Sequence, residues 1–182
     1  MPHPFQQTEG IVLRAIPFQD YDHILTLFTQ AEGILKLLVR GSRSKRRGLQ
    51  GLCMPLTKVS VVYQEKRGEI CGCHELALIE SFPDLRGDLN RLEAACDLLD
   101  ATYRSQLIGK PAPSLYVLLC FILERMSQAH FPAALVACFR LKLLKHEGLV
   151  AFPFVCSDCG HELHTEAYVR NAEGWCMSHR PA

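Results

Sequence analysis

A chain of 182 residues, 48% hydrophobic and 21% charged, can build one packed core plus a small satellite domain, and its composition excludes a disordered protein. The formal net charge is only +1, so attraction to a charged partner has to come from uneven placement and not from bulk charge. That placement is uneven: no acidic residue stands between Glu32 and Glu65, whereas Lys36, Arg40, Arg43, Lys45, Arg46, Arg47 and Lys58 all fall there.

At the N-terminus, Gln6, Gln7, Glu9 and Arg14 interrupt any apolar signal-peptide core. From Ile11 to about Leu78 the pattern is strand-like. "IVLRAIPF" and "HILTLF" are followed by the turn "AEG" and by "ILKLLVR", the second pair forming a hairpin with Gly33 at its turn. In the third strand Leu35, Leu37 and Val39 share one face, and Lys36 and Arg40 share the other. "KVSVVYQ", the turn "EKRGE" and "ICGCHEL" form another hairpin, with Val59, Val61 and Tyr63 inward. Five short strands with hairpin links suggest a small antiparallel barrel, because closure removes exposed sheet edges.

The period changes at Pro83, from which Leu85, Leu89, Leu92, Cys96, Leu99, Tyr103 and Leu107 recur at helical spacing. "GKPAPS" breaks that helix, and Ser114 is a candidate N-cap for "LYVLLCFILERM", apolar nearly all round and so expected at the centre of a bundle. Its apolar run, Leu115–Leu123, is too short for the ~20 residues a membrane helix needs. Pro132 starts a third helix that Gly148 ends. A soluble, cytoplasmic, reducing setting is therefore expected, in which Cys53, Cys71, Cys96, Cys120 and Cys138 read as small buried apolar residues.

The last segment holds Cys156 and Cys159 as one C-x-x-C, and Cys176 with His179 as a C-x-x-H. Two short-spaced pairs suit tetrahedral zinc, since each turns two ligands inward from one knuckle. His161 and His164 compete for the fourth position. Four closed Cys and His ligands leave no open coordination position, so the expected metal is structural. The expected architecture is α+β and multidomain: an N-terminal antiparallel β-barrel over 1–80, an α-helical bundle domain over 81–149 and a C-terminal zinc-knuckle element over 150–182.

Three stretches together resemble the bacterial RecO family of recombination mediators and repair proteins. "TEGIVLRAIPFQDYDHILTLFTQAEGILKLLVRGSRSKRRG" is similar to the family's N-terminal signature, "LIESFPDLRGDLNRLEAACDLLD" to its entry into the helical domain, and "FRLKLLKHEGLVAFPFVCSDCG" to its passage into the zinc knuckle. The resemblance implies an OB-fold that binds DNA, a helical domain and a zinc element. It also implies action on strands coated by single-stranded DNA-binding protein, RecR as a partner, and RecA loading as the outcome. Family members continue past the zinc element with further helices, whereas this sequence ends at Ala182, so a short member is expected and contacts made by that part are not carried over.

The residues support the same chemistry. A barrel face with Lys36 and Arg40, beside a loop with Arg43, Lys45, Arg46 and Arg47, forms a track for phosphates, which Arg14 joins if register allows. Phosphate contacts carry no base information, so sequence-independent binding of single- and double-stranded DNA, at the nucleoid, is expected. Phe18, Tyr21, Phe28 and Tyr63 are candidates for base stacking but read as core, which leaves backbone tracking as the expected mode. Arg140, Lys142 and Lys145, with Arg125 extending them, form a candidate dock for an acidic peptide such as the tail of single-stranded DNA-binding protein. Catalysis finds no support: "LIGKP" is a helix stop and not a phosphate loop, and no nucleophile stands by motif beside a base. The competing reading is a protein-interaction scaffold with a structural zinc and no contact with DNA.

Overall fold

The structure is a computed structural model that describes residues 4–44, 48–65, 68–128, 134–150, 155–163, 167–170 and 173–180. Five strands, β1 (Phe5–Phe18), β2 (Asp22–Thr29), β3 (Gly33–Val39), β4 (Lys58–Gln64) and β5 (Ile70–Glu80), close into a barrel of order β1-β2-β3-β5-β4. β1 makes closure possible because it is long enough to serve two neighbours. Its first half pairs with β4 and its second half with β2, and the register shifts between Val12 and Arg14, where the strand bends. The β3–β5 contact is parallel and short, Lys36–Leu38 against Ile70–Gly72, while the other ladders are antiparallel.

Inward-facing residues alternate as a half-buried strand requires. Val12, Leu25, Leu27, Leu35, Leu37, Val39, Val59, Val61 and Tyr63 fill the barrel with Cys53 and Cys71. Each large side chain so buried contributes about 1.5–3 kcal/mol of transfer free energy. The expected strands are present, though β1 begins six residues earlier and β5 runs four residues longer than the apolar pattern alone suggested.

The helical region departs from the expectation in three places. The single helix from Pro83 is broken at Gly87 into α1 (Pro83–Arg86) and α2 (Leu89–Ser105), because the Asp88 carboxylate accepts from the Arg91 amide and caps a new helix. The packed stripe of α2 is Ala95, Leu98, Leu99 and Thr102, whereas Leu89, Cys96 and the following Leu107 are exposed. The buried stripe is thus the one that carries Ala95 and Thr102 beside Leu98 and Leu99, rotated from the stripe that the larger apolar residues mark. α3 (Pro113–Met126) starts at Pro113, whose fixed φ suits the first turn, so Ser114 is not its cap. Val117 and Phe121 form an exposed stripe on α3. Cys138 is exposed as well, and Cys120 is half-buried, so only Cys53 and Cys71 of the five cysteines are buried as expected.

The helices cover part of the barrel. Tyr116 of α3 meets Phe28 of β2 edge-on with ring centres 5.7 Å apart. The connection between α2 and α3 lies on β3, where the Gly109 amide donates to the Ile34 carbonyl at 3.1 Å and Ile108 bridges Ile34. Gly33 lets it do so: its φ is +67°, and a Cβ there would sit 2.0 Å from the Lys110 carbonyl oxygen. Arg86 fastens α1 to the lead into β4, donating to the carbonyls of Ser81, Pro55 and Leu56 and to Thr57 Oγ1 at 2.7–3.1 Å.

The chain divides into two compact units, Met1–Phe139 and Arg140–Ala182. Along the chain, α4 (Ala134–His146) runs across this boundary. The second unit continues with a small hairpin of β6 (Tyr168–Arg170) and β7 (Glu173–Trp175). Among the described residues, no helix is long and apolar enough to cross a membrane.

Candidate nucleic-acid interface and metal centre

The acid-free stretch leaves the barrel at the end of β3. Directly after Val39 the chain turns, and that turn is tied to the neighbouring β1–β2 turn. The Gly41 amide donates to Asp22 Oδ1 at 2.8 Å, the Arg43 amide to the Tyr21 carbonyl at 2.9 Å, and Arg43 Nη1 to the Gln19 carbonyl at 3.4 Å. Ser42 is fully buried; its hydroxyl donates to the Val39 carbonyl at 2.9 Å, leaving its oxygen to accept from His23 Nδ1 at 3.0 Å. Burial, then the nearby Arg43 charge, lowers the His23 pKa below its ordinary value, so the ring is neutral where it supports the loop. Arg40 and Arg43 are exposed at this rim, while Lys45, Arg46 and Arg47 lie outside the described residues.

Register answers the question of Arg14. It pairs with Thr26, and Thr26 pairs with Lys36, so Arg14 and Lys36 share the outer face two strands apart, about 10 Å at ordinary strand spacing. Both already have partners. Lys36 Nζ is 3.1 Å from Glu69 Oε2, and the Arg14 guanidinium lies 4.8 Å from the Tyr103 ring centre. Glu69 closes the acid-free stretch's sequence neighbourhood from the β4–β5 turn, a contact that the linear charge pattern did not reveal.

The four aromatic candidates separate cleanly. Phe28 and Tyr63 are core, as expected, but Phe18 is 39% and Tyr21 is 64% exposed, both at the β1–β2 turn beside Arg43. The expectation of burial fails for these two because Phe18 shares the outward face of β1 with Ile16, and Tyr21 lies in the turn between the strands.

Within the second unit, the three basic residues of α4 do not share one face. At about 100° per residue, Arg140 stands roughly 160° around the α4 axis from Lys142, while Lys142 and Lys145 share a face. Arg125 belongs to the first compact unit, where its guanidinium donates to Gln128 Oε1 and lies 5.7 Å from the Phe121 ring centre.

In the second unit, the side chains of Cys156, Cys159, Cys176 and His179 converge, their ligand atoms all within 4.8 Å of one another. Cys159 Sγ lies 3.9 Å from Cys176 Sγ, and His179 Nδ1 lies 3.2 Å from Cys176 Sγ and 3.8 Å from Cys156 Sγ. A tetrahedral ion with metal–sulfur bonds of about 2.3 Å would set sulfur–sulfur edges of about 3.8 Å, so the donor set fits such an ion. The backbone holds the first knuckle: the Cys156 amide donates to the His161 carbonyl and the Gly160 amide to the Cys156 carbonyl, each at 2.8 Å, with Gly160 at φ +71°. Burial would raise the Cys156 thiol, but amides of Cys176, Cys159 and Asp158 outweigh it and bring the pKa to about 6. The His179 pKa is raised by its contacts with the Cys176 and Cys156 sulfurs. Among the described residues, His161 contributes only its carbonyl to this knuckle, and His164 lies outside them.

Comparison with known proteins agrees with this arrangement. Residues 1–82 match the family described as "Recombination protein O N terminal". The DNA repair protein RecO of Anaeromyxobacter sp. (strain K) is 30% identical over 154 residues, which cover 83% of this chain and 60% of that relative. The DNA repair protein RecO of Syntrophus aciditrophicus (strain SB) is 28% identical over 167 residues, 91% of this chain and 64% of the relative. That of Exiguobacterium sibiricum is 27% identical over 175 residues, 96% and 70% respectively. The chain thus spans 60% of the length of the first of these relatives. The barrel is similar over its whole length to the RecO N-terminal family, and the similarity to DNA repair proteins RecO runs on toward the Cys and His cluster.

Proposed function

We propose that this protein is a DNA repair and recombination mediator that grips single- and double-stranded DNA by charge at the rim of its OB-fold barrel. The observation that carries this is the joined pair of turns, in which an acid-free, cation-rich segment is hydrogen-bonded to the β1–β2 turn of a closed barrel similar to the RecO N-terminal family. Arg40, Arg43, Lys45, Arg46 and Arg47 supply the main attraction, and Arg14 and Lys36 extend it along the outer face. Because phosphates and not base edges are held, two complementary strands can be brought together without sequence preference, which is the requirement for annealing. The protein binds and does not catalyse.

Its partners on this reading are strands coated by single-stranded DNA-binding protein, RecR, and RecA, whose loading it assists in the cytoplasm at the nucleoid. A structural Zn2+ held by Cys156, Cys159, Cys176 and His179 closes the C-terminal hairpin, with no open position for substrate. Lys142 and Lys145 on one face of α4 are the basic residues left to receive an acidic peptide.

A fluorescence titration of single-stranded DNA against salt tests the reading. If six cations neutralise phosphates, single-strand affinity falls about three hundredfold between 50 and 200 mM salt. Changing Arg43, Lys45, Arg46 and Arg47 together to Ala is expected to flatten that dependence. A salt response equal in the two proteins, or no binding at low salt, rejects the reading in favour of an interaction scaffold.

A further inference from the structure

The β1–β2 turn carries more than the loop that leans on it. Ala15 packs toward the barrel core, so Arg14, Ile16 and Phe18 face outward along β1. Across the sheet, Ile16 pairs with Ile24 and Ile24 with Leu38, giving an apolar row beside the row of Arg14, Thr26 and Lys36. Ile16 is exposed, and Phe18 and Tyr21 end this surface at the tip, uncovered by the helices. The tip is held in an unusual shape: Gln19 has φ +52°, a left-handed conformation costly for a side-chain-bearing residue, stabilised by Arg43 donating to its carbonyl.

We infer that Phe18 and Tyr21 are a stacking platform for unpaired bases, placed so that Arg43 holds the adjoining phosphate. The inference rests on the DNA-binding reading above and deepens it, because it names single strands as the preferred form. Two exposed aromatic rings at a turn tip, beside an apolar row and flanked by cations, present flat faces that any base can cover. In a duplex those base faces are already stacked on one another, so the same surface offers a duplex only its charges. Sequence tolerance is retained, since every base has a π-face.

The test compares three probes at fixed salt: an oligothymidylate strand, a sugar–phosphate strand of equal length without bases, and a duplex of that length. For the double variant Phe18→Ala with Tyr21→Ala, affinity for oligothymidylate is expected to fall at least about tenfold, while affinity for the other two probes and the salt dependence stay unchanged. The pair Phe18→Leu with Tyr21→Leu keeps apolar bulk at the tip and is expected to lose single-strand affinity in the same way, which separates stacking from collapse of the turn. Equal losses on all three probes, or no loss on oligothymidylate, overturn the stacking platform while leaving charge-based binding intact. Failure of the unaltered protein to bind any probe at low salt overturns both readings.

Discussion

Two glycines with the same backbone angle isolate what holds the helical layer on the barrel. Gly33 and Gly109 both have φ +67°, so Ala at either position pays the left-handed cost of about 1–2 kcal/mol. Their surroundings differ completely: a Cβ at Gly109 meets nothing within 4 Å, whereas a Cβ at Gly33 would lie 2.0 Å from the Lys110 oxygen and 2.6 Å from its carbonyl carbon. Relieving that overlap requires the α2–α3 connection to withdraw by about 1 Å, which breaks the bond from the Gly109 amide to Ile34 and costs a further ~1–3 kcal/mol. Gly33→Ala should therefore exceed Gly109→Ala by about 1–3 kcal/mol, or roughly 2–12 °C in thermal midpoint for a protein of this size. Thermal melts followed by far-UV circular dichroism, run on both variants beside the unaltered protein, measure the difference. Equal shifts would refute the claim that close approach at Gly33, and not its dihedral alone, fixes the connection.

Arg86→Ala removes three hydrogen bonds between α1 and the lead into β4 and a fourth to Ser81, and is expected to cost about 2–3 kcal/mol, read as a lowered midpoint in denaturant. Trp175, the only tryptophan, adjoins the ligand Cys176, so chelation of a bound metal should shift its emission to longer wavelength while the far-UV signal of the barrel persists; Cys176→Ser should reproduce the shifted spectrum without chelator. The His23 pKa is lowered on folding from its ordinary 6.5, so the unfolded chain binds more protons near pH 6 and stability falls as pH drops through that region. His23→Gln, which retains a donor for Ser42, is expected to flatten the dependence of thermal midpoint on pH below about 7.

The barrel was legible because period-two alternation survives translation into structure wherever one strand face is buried; Leu35, Leu37 and Val39 are the clearest case. The Cys and His cluster was legible because its members lie in two short pairs whose geometry is local. What the sequence concealed depended on contacts between distant segments. The rotation of α2 is one such case: Ala95 and Thr102 are buried, and a stripe read from large apolar residues passes over them in favour of Leu92 and Cys96. Phe18 and Tyr21 were misread because a large aromatic is ordinarily core, whereas Phe18 is on the outward face of β1 and Tyr21 lies in the turn that follows it. Glu69 escaped notice because β5 runs parallel to β3, an arrangement the hairpin pattern did not signal.

That carboxylate decides how far the phosphate track extends. A cation contributes to the salt dependence only if it exchanges counterions for phosphate, and Lys36 at 3.1 Å from Glu69 already has an anion beside it. The pair is largely solvent-exposed on the Glu69 side and so is worth under about 1 kcal/mol, weak enough for a phosphate to displace it. Glu69→Gln removes the competitor without changing the shape of the β4–β5 turn. If Lys36 belongs to the track, the variant should bind single strands more tightly at low salt, and the magnitude of its salt slope should rise by up to about 0.7, one further phosphate contact. If slope and affinity both stay where they were, Lys36 braces β3 against β5, and the grip on DNA is confined to the loop from Arg40 onward and the turn it leans on.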